Sequence, residues 1–131
     1  DSAEGVAVID GSITHPDFGL LEQPIRLNIH HGRIIEFSGN LKQVEALNRM
    51  FGPPDSPRRV LAECGVGLNP AAQLTGMMLT DEGVLGCIHF GFGANHTMGG
   101  HNHVDFHLDF VCRSATLQVN NQTLLQSGVL Q

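Results

Sequence analysis

The sequence predicts an α+β domain dominated by β-structure: a small curved antiparallel or mixed sheet, one amphipathic helix and one short helix. Three observations carry that expectation. Short apolar runs of strand length alternate with turn residues, a single stretch has helical periodicity, and glycine is dense through the second half of the chain.

Taken in order, residues 6–9 and 25–30 read as strands, and His31-Gly32 reads as a tight turn into a strand over 33–37, giving a hairpin. His30 and His31 are then exposed turn residues, and His15-Pro16-Asp17 is loop. Asn40 offers an N-cap with Gln43 three residues on; Leu41, Val44, Leu47 and Phe51 recur at helical spacing, and Gly52-Pro53-Pro54 supplies the stop. An extended run resumes over 58–64. Asn69-Pro70 can cap a short helix through Ala71, Ala72 and Leu74 that Gly76 closes, with Met77 and Met78 filling core. Residues 84–92 form a buried strand candidate, and 116–119, Asn120-Asn121 and 122–125 read as a closing hairpin. Glycines 65, 67, 76, 83, 86, 91, 93, 99 and 100 imply tight turns, or loops shaped around a site that includes Glu63, His89 and the strand ending at Asp109.

At 131 residues the chain is one domain with a real core. Its net charge of −6 without a basic run argues against nucleic acid or an anionic membrane as partner. No stretch is apolar enough for a membrane span and no leader opens the sequence, so a soluble protein is expected. Three widely spaced cysteines, Cys64, Cys87 and Cys112, make neither a disulfide framework nor a metal knuckle, which fits a reducing cytoplasm; Cys64 and Cys87 read as small buried hydrophobes. The opening Asp1-Ser-Ala-Glu-Gly5, without Met, reads as a processed or excised form.

The densest chemistry lies at 101–110. His101, His103, Asp105, His107 and Asp109 alternate with Asn102, Val104, Phe106, Leu108 and Phe110, so a strand would carry every ionisable group on one face. Three imidazoles and two carboxylates without Lys or Arg suit a divalent cation better than water. His101, His103 and Asp105 are candidates to support ligating imidazoles or to rim a substrate, with Asp105 pairing to His107 or His103.

Several ordered motifs then carry a resemblance: Glu63-Cys-Gly-Val-Gly-Leu-Asn-Pro70, Leu74-Thr-Gly76, Asp81-Glu82, Gly86-Cys-Ile-His89, Phe92-Gly-Ala-Asn95, Gly99-Gly100 and His107-Leu-Asp109. Together they resemble the carboxyl-terminal part of the thermophilic metalloaminopeptidases, the aminopeptidase T and leucyl aminopeptidase type. The resemblance implies a cytoplasmic hydrolase, with two divalent ions (Zn, Co or Mn) per full-length chain cleaving the amino-terminal bond of a peptide substrate. It implies Glu63, His89, His107 and Asp109 as ligands, Asp109 being available to bridge, and His96 as a tentative further ligand where those enzymes place Tyr. It further implies a missing amino-terminal domain that carries another ligand and any separate general base, a homodimer, and an isolated piece without activity.

The alternative is a related group of the same fold, the 2,5-dihydroxypyridine dioxygenases, which open an aromatic ring with one non-haem Fe(II). The opening residues and the Gly93-to-Asp109 segment resemble that group too. The resemblance places His at position 63 of the dioxygenases and no His at 89, so Glu63 and His89 favour the hydrolase. A third reading is a non-catalytic relic of the fold.

Overall fold

A computed structural model describes residues 2–131. The architecture is α+β and β-dominated, as the sequence predicts. Eleven strands, β1 (Gly5–Ile9), β2 (Ser12–Ile13), β3 (Gly19–Leu20), β4 (Ile25–His30), β5 (Arg33–Ser38), β6 (Leu61–Val66), β7 (Ile88–Gly93), β8 (His107–Cys112), β9 (Leu117–Val119), β10 (Gln122–Gln126) and β11 (Val129–Leu130), accompany two helices, α1 (Leu41–Phe51) and α2 (Met78–Asp81).

The strands form three antiparallel sheets ordered β1-β4-β5, β3-β2-β8-β7-β6 and β11-β10-β9. The first strand pattern is the clearest. In β4, Ile25, Leu27 and Ile29 are buried while Arg26 and His30 are exposed, the alternation of a strand with one face on a core. That face packs with Phe92, Leu108 and Phe110 of the five-stranded sheet. Since side chains alternate, the opposite face of β8 and β7 is left to His107, Asp109, His89 and Gly91.

Helix α1 closes the core from the side. Its start and stop are those the sequence predicts: the Asn40 side chain accepts from Gln43 N–H, and Gly52 ends it at φ 75°. Phe51 at its last turn meets Phe37, Phe106 and Phe110, with ring centroids 5.2, 4.9 and 5.9 Å away. The orphan carbonyls at that end are taken by arginine. Arg58 donates to Met50 O (2.7 Å), and the buried Arg59 donates to Gly52 O (2.7 Å) and Asn48 Oδ1 (2.8 Å).

The structure corrects several local expectations; the strand expected over 84–92 begins only at Ile88, and the extended run expected over 58–64 opens in a 3-10 turn at Pro57–Arg59. Residues 69–76 form an irregular loop with a turn at 70–71 rather than a helix; the short helix lies further on, at Met78–Asp81. Its anchor is the buried Asp81, which accepts from Ser12 Oγ (2.6 Å), Thr75 N–H (2.6 Å) and Gly76 N–H (2.8 Å). These bonds satisfy a carboxylate that would otherwise be costly to bury, and they hold the 75–76 end of the loop. Met77 and Met78 are exposed instead of filling core, as is Cys64, whereas Cys87 is buried. Only β8, not the whole of 101–110, is strand. Its partner β7 ends at Gly93, so the preceding residues fold back on the 94–95 backbone: Ala94 N–H donates to Phe106 O (2.8 Å) and Asn95 N–H to Asn102 O (3.2 Å). Among the described residues no helix is long and apolar enough to cross a membrane.

Candidate metal centre

The candidate centre lies on the outer face of β6, β7 and β8, in one cross-strand row. Glu63 pairs with Gly91, and Gly91 pairs with Asp109. A register shift between Leu61 and Glu63 places an irregularity just before Glu63, the kind of feature that re-aims a side chain. The middle position has to be glycine. A Cβ on Gly91 would stand 2.6 Å from Glu63 Cγ, 2.7 Å from His107 Nε2 and 2.8 Å from Asp109 Oδ1, so the three side chains converge over a bare backbone.

One ligand atom from each of Glu63, His107 and Asp109 lies within 4.8 Å of the others. His107 Nε2 is 3.2 Å from Asp109 Oδ1 and 3.8 Å from Glu63 Oε1. Asp109 is 1 % exposed, so its carboxylate is held away from bulk water. His107 Nδ1 lies 3.0 Å from Ala94 O. A carbonyl only accepts, so Nδ1 carries a proton, and Nε2, which faces Asp109 and Glu63, is the nitrogen left to bind a metal once its own proton is lost. Burial lowers the His107 pKa, but the Ala94 carbonyl, Asp109 and Glu63 together outweigh it and the net shift is upward.

His89 reaches this group through Glu63: its Nε2 is 3.3 Å from Glu63 Oε1, and its ring leans over Gly65, where a Cβ would overlap it. Its Nδ1 is buried with no hydrogen-bond partner among the described residues. Its imidazole is therefore placed to orient Glu63, beside the three converging donors.

Glu82 also belongs here, and the sequence reading did not assign it a role. Burial first, then the Asp109 charge, pushes its pKa up to about 7. The only signal was its place beside Asp81 in the Asp81-Glu82 pair; the buried Asp81 anchors the segment that delivers it.

The remaining sequence candidates lie apart. His96 sits on an exposed 3-10 turn, Gly99 following at φ 88°, and stacks on His103 with centroids 4.7 Å apart. His101, His103 and Asp105 are exposed and precede the strand, so no strand alternation places them on the ligand face. None of these four joins the convergent donors among the described residues, and the partner of His107 Nδ1 is the Ala94 carbonyl where Asp105 was expected.

A two-faced β-domain that gathers an imidazole and carboxylates over a glycine floor defines a candidate metal-binding domain of the non-haem type. Across residues 1–131 the chain matches, and belongs to, the family described as NicX, 2,5-dihydroxypyridine 5,6-dioxygenase. It is 28 % identical to the 2,5-dihydroxypyridine 5,6-dioxygenase of Pseudomonas putida KT2440 over 138 aligned residues, covering 98 % of this chain and 39 % of the relative. It is similar to the solved structure of 2,5-dihydroxypyridine dioxygenase from the same organism, with TM-score 0.86 and 26 % identity, over 100 % of this chain and 41 % of that one. The chain thus spans about two-fifths of the length of the relatives it matches.

This overturns the expectation of an aminopeptidase and, with it, the hydrolase and metalloprotease reading and the peptide substrate. The expectation rested on Glu63 and His89 as a hydrolase-specific pair. Two positions in one site weigh less than a match along all 131 residues, and His89 contacts Glu63 rather than marking out a second group of converging donors.

Proposed function

We propose that this chain supplies the metal-holding part of a ring-opening dioxygenase acting on a hydroxylated pyridine. The observation that carries the proposal is the convergence of Glu63, His107 and Asp109 over Gly91 in a chain of this family. Imidazole and carboxylate donors suit Fe(II), and the cradle over Gly91 is one that a single β-carbon would fill, so the residues present fit one divalent ion. His107, Asp109 and Glu63 would hold the iron. When bound, that ion supplies a site at which dioxygen and an oxygen-bearing substrate can be brought together.

The chain's own residues set up that site. Ala94 O fixes the His107 tautomer, the His89 ring holds Glu63 Oε1, and the core behind β8 keeps Asp109 dry, so the donors are arranged before any ligand arrives. Asp81 ties the 75–76 backbone to α2 and so positions Glu82, at the end of that helix, beside Asp109. The one convergent group that the described residues form on this face supports a single iron over the expected pair of Zn, Co or Mn ions.

The test is oxygen uptake by the full-length protein reconstituted with Fe(II) and given 2,5-dihydroxypyridine. Uptake equal to pyridine consumed, and lost in Asp109→Ala, is expected. An iron-loaded protein that leaves the pyridine and the oxygen untouched would sink the proposal.

A further inference from the structure

A second histidine–carboxylate cluster lies on the other sheet. Glu4, just before β1, turns its carboxylate to the β4–β5 turn: Oε2 is 2.8 Å from His30 Nδ1, and Oε1 is 3.4 Å from His31 Nδ1 while accepting from His31 N–H at 2.9 Å. The two imidazole rings stand 4.0 Å apart at 55°. One ligand atom from each of the three residues lies within 4.8 Å of the others.

From these distances we propose that Glu4, His30 and His31 form a surface site for a borderline divalent cation, Zn(II) or Cu(II), separate from the centre on β6–β8. Metal-to-ligand distances of about 2.0–2.1 Å in a tetrahedron put neighbouring ligand atoms about 3.4 Å apart. His31 Nδ1 stands at that spacing from Glu4 Oε1 (3.4 Å) and His30 Nδ1 inside it from Glu4 Oε2 (2.8 Å), so one ion can sit between the two imidazoles and the carboxylate with small side-chain adjustment. All three side chains are at least half exposed, which leaves water free to complete the coordination.

The backbone gives an independent sign. His31 and Gly32 have φ of 48° and 70°, the double left-handed turn in which Asn-Gly is the preferred pair. A histidine there is less favoured than the Asn such a turn prefers, and its ring faces the Glu4 carboxylate. The ion would staple the start of β1 to the β4–β5 turn beside an apolar cavity of about 290 Å³ lined by Ala3, Val6, Ile29, Leu61, Phe90 and Cys112.

The test titrates Zn(II) into the full-length protein carrying His107→Ala and Asp109→Ala, so that the first centre is silent, and reads affinity by calorimetry and His30 and His31 ring signals by NMR. One Zn per chain is expected, with both ring signals shifting and affinity falling at least tenfold in each of Glu4→Gln, His30→Asn and His31→Asn. His31→Asn keeps a residue that tolerates the turn, so loss of fold does not confuse the result. No binding in the silenced background would overturn the proposal. So would affinity unchanged by Glu4→Gln, since that is casual binding to paired histidines.

Discussion

The two histidine–carboxylate clusters use the same donor chemistry in opposite settings. Glu63 on β6 and His107 and Asp109 on β8 meet over Gly91 of the strand between them, with Asp109 fully buried. Glu4, His30 and His31 stand just before β1 and at the β4–β5 turn, at least half exposed. The first cluster is held by the core behind the sheet, so displacing one donor disturbs a prearranged group. The second is held only by contacts among its own exposed side chains and the His31 N–H. Burial, more than donor identity, separates a centre that organises chemistry from one that would capture an ion opportunistically.

The largest break in that comparison is Gly91→Ala. The new methyl would meet the flexible Glu63 side chain at 2.6 Å and the His107 and Asp109 tips at 2.7 and 2.8 Å. The side chains, not the backbone, give way. We expect the fold to persist by circular dichroism while Fe(II) affinity falls by more than about a hundredfold, the upper end of what displaced supporting groups cost. Zn binding at the Glu4 cluster should be untouched. Equal iron affinity in the variant would mean that the donors do not meet over Gly91.

Asp81→Ala comes next, and it acts on stability. The carboxylate is fully buried and takes hydrogen bonds from Ser12, Thr75 and Gly76, so its removal strands donors that nothing else satisfies. A loss of about 3 kcal/mol in denaturant unfolding is expected. The same change should release the segment that brings Glu82 to Asp109, which a rise in hydrogen exchange over 75–82 would report.

His89→Ala sharpens the assignment of His89 as the residue that orients Glu63. Such partners are worth about 10- to 100-fold in metal affinity, against near-complete loss for a direct ligand. A loss beyond that range, with the iron spectrum changed, would make His89 a ligand itself.

How far these positions could be read from the sequence differs sharply between them. The Asn40–Gly52 helix and the β4–β5 hairpin were legible because cap, period and turn all act within a few residues. His107 and Asp109 were legible as a pair because a real strand carries them. The same two-residue period misled over His101, His103 and Asp105: alternation is a necessary sign of a strand, but pairing decides, and the neighbouring strand stops at Gly93. Glu82 escaped because a loop and a short helix deliver it, and their placement depends on Ser12, 69 residues away from the Asp81 it binds. Glycine density pointed to the floor of the site without saying which glycine. The choice between hydrolase and dioxygenase failed because it leaned on two residues whose roles depend on where their side chains meet.

A fourth test uses pH on the metal-free protein. Glu82 sits near 7, against an ordinary 4.5, because burial and the Asp109 charge favour its neutral form. An acid raised on folding stabilises the fold while it stays protonated and loses that contribution once the unfolded chain ionises. Stability should therefore fall as pH rises from 4.5 toward 7, and Glu82→Gln should flatten that limb in urea titrations. An unchanged slope would place the Glu82 carboxyl in water, away from Asp109.

The smallest effect belongs to the exposed cluster, and its sign is the informative part. His31 occupies a left-handed position at φ 48° that Asn fills more comfortably, and the His31 N–H bond to Glu4 survives the change because it is made by backbone. Without metal, His31→Asn should therefore stabilise the protein slightly, by less than about 1 kcal/mol. With saturating Zn the order should reverse, because the parent gains a bound ion that the variant has lost and a ligand that binds only the folded state adds to its stability. A crossing of the two melting curves on Zn addition would show that a turn residue has been kept at a local cost for the ion it can hold. Parallel curves would return His31 to the role of an ordinary turn residue.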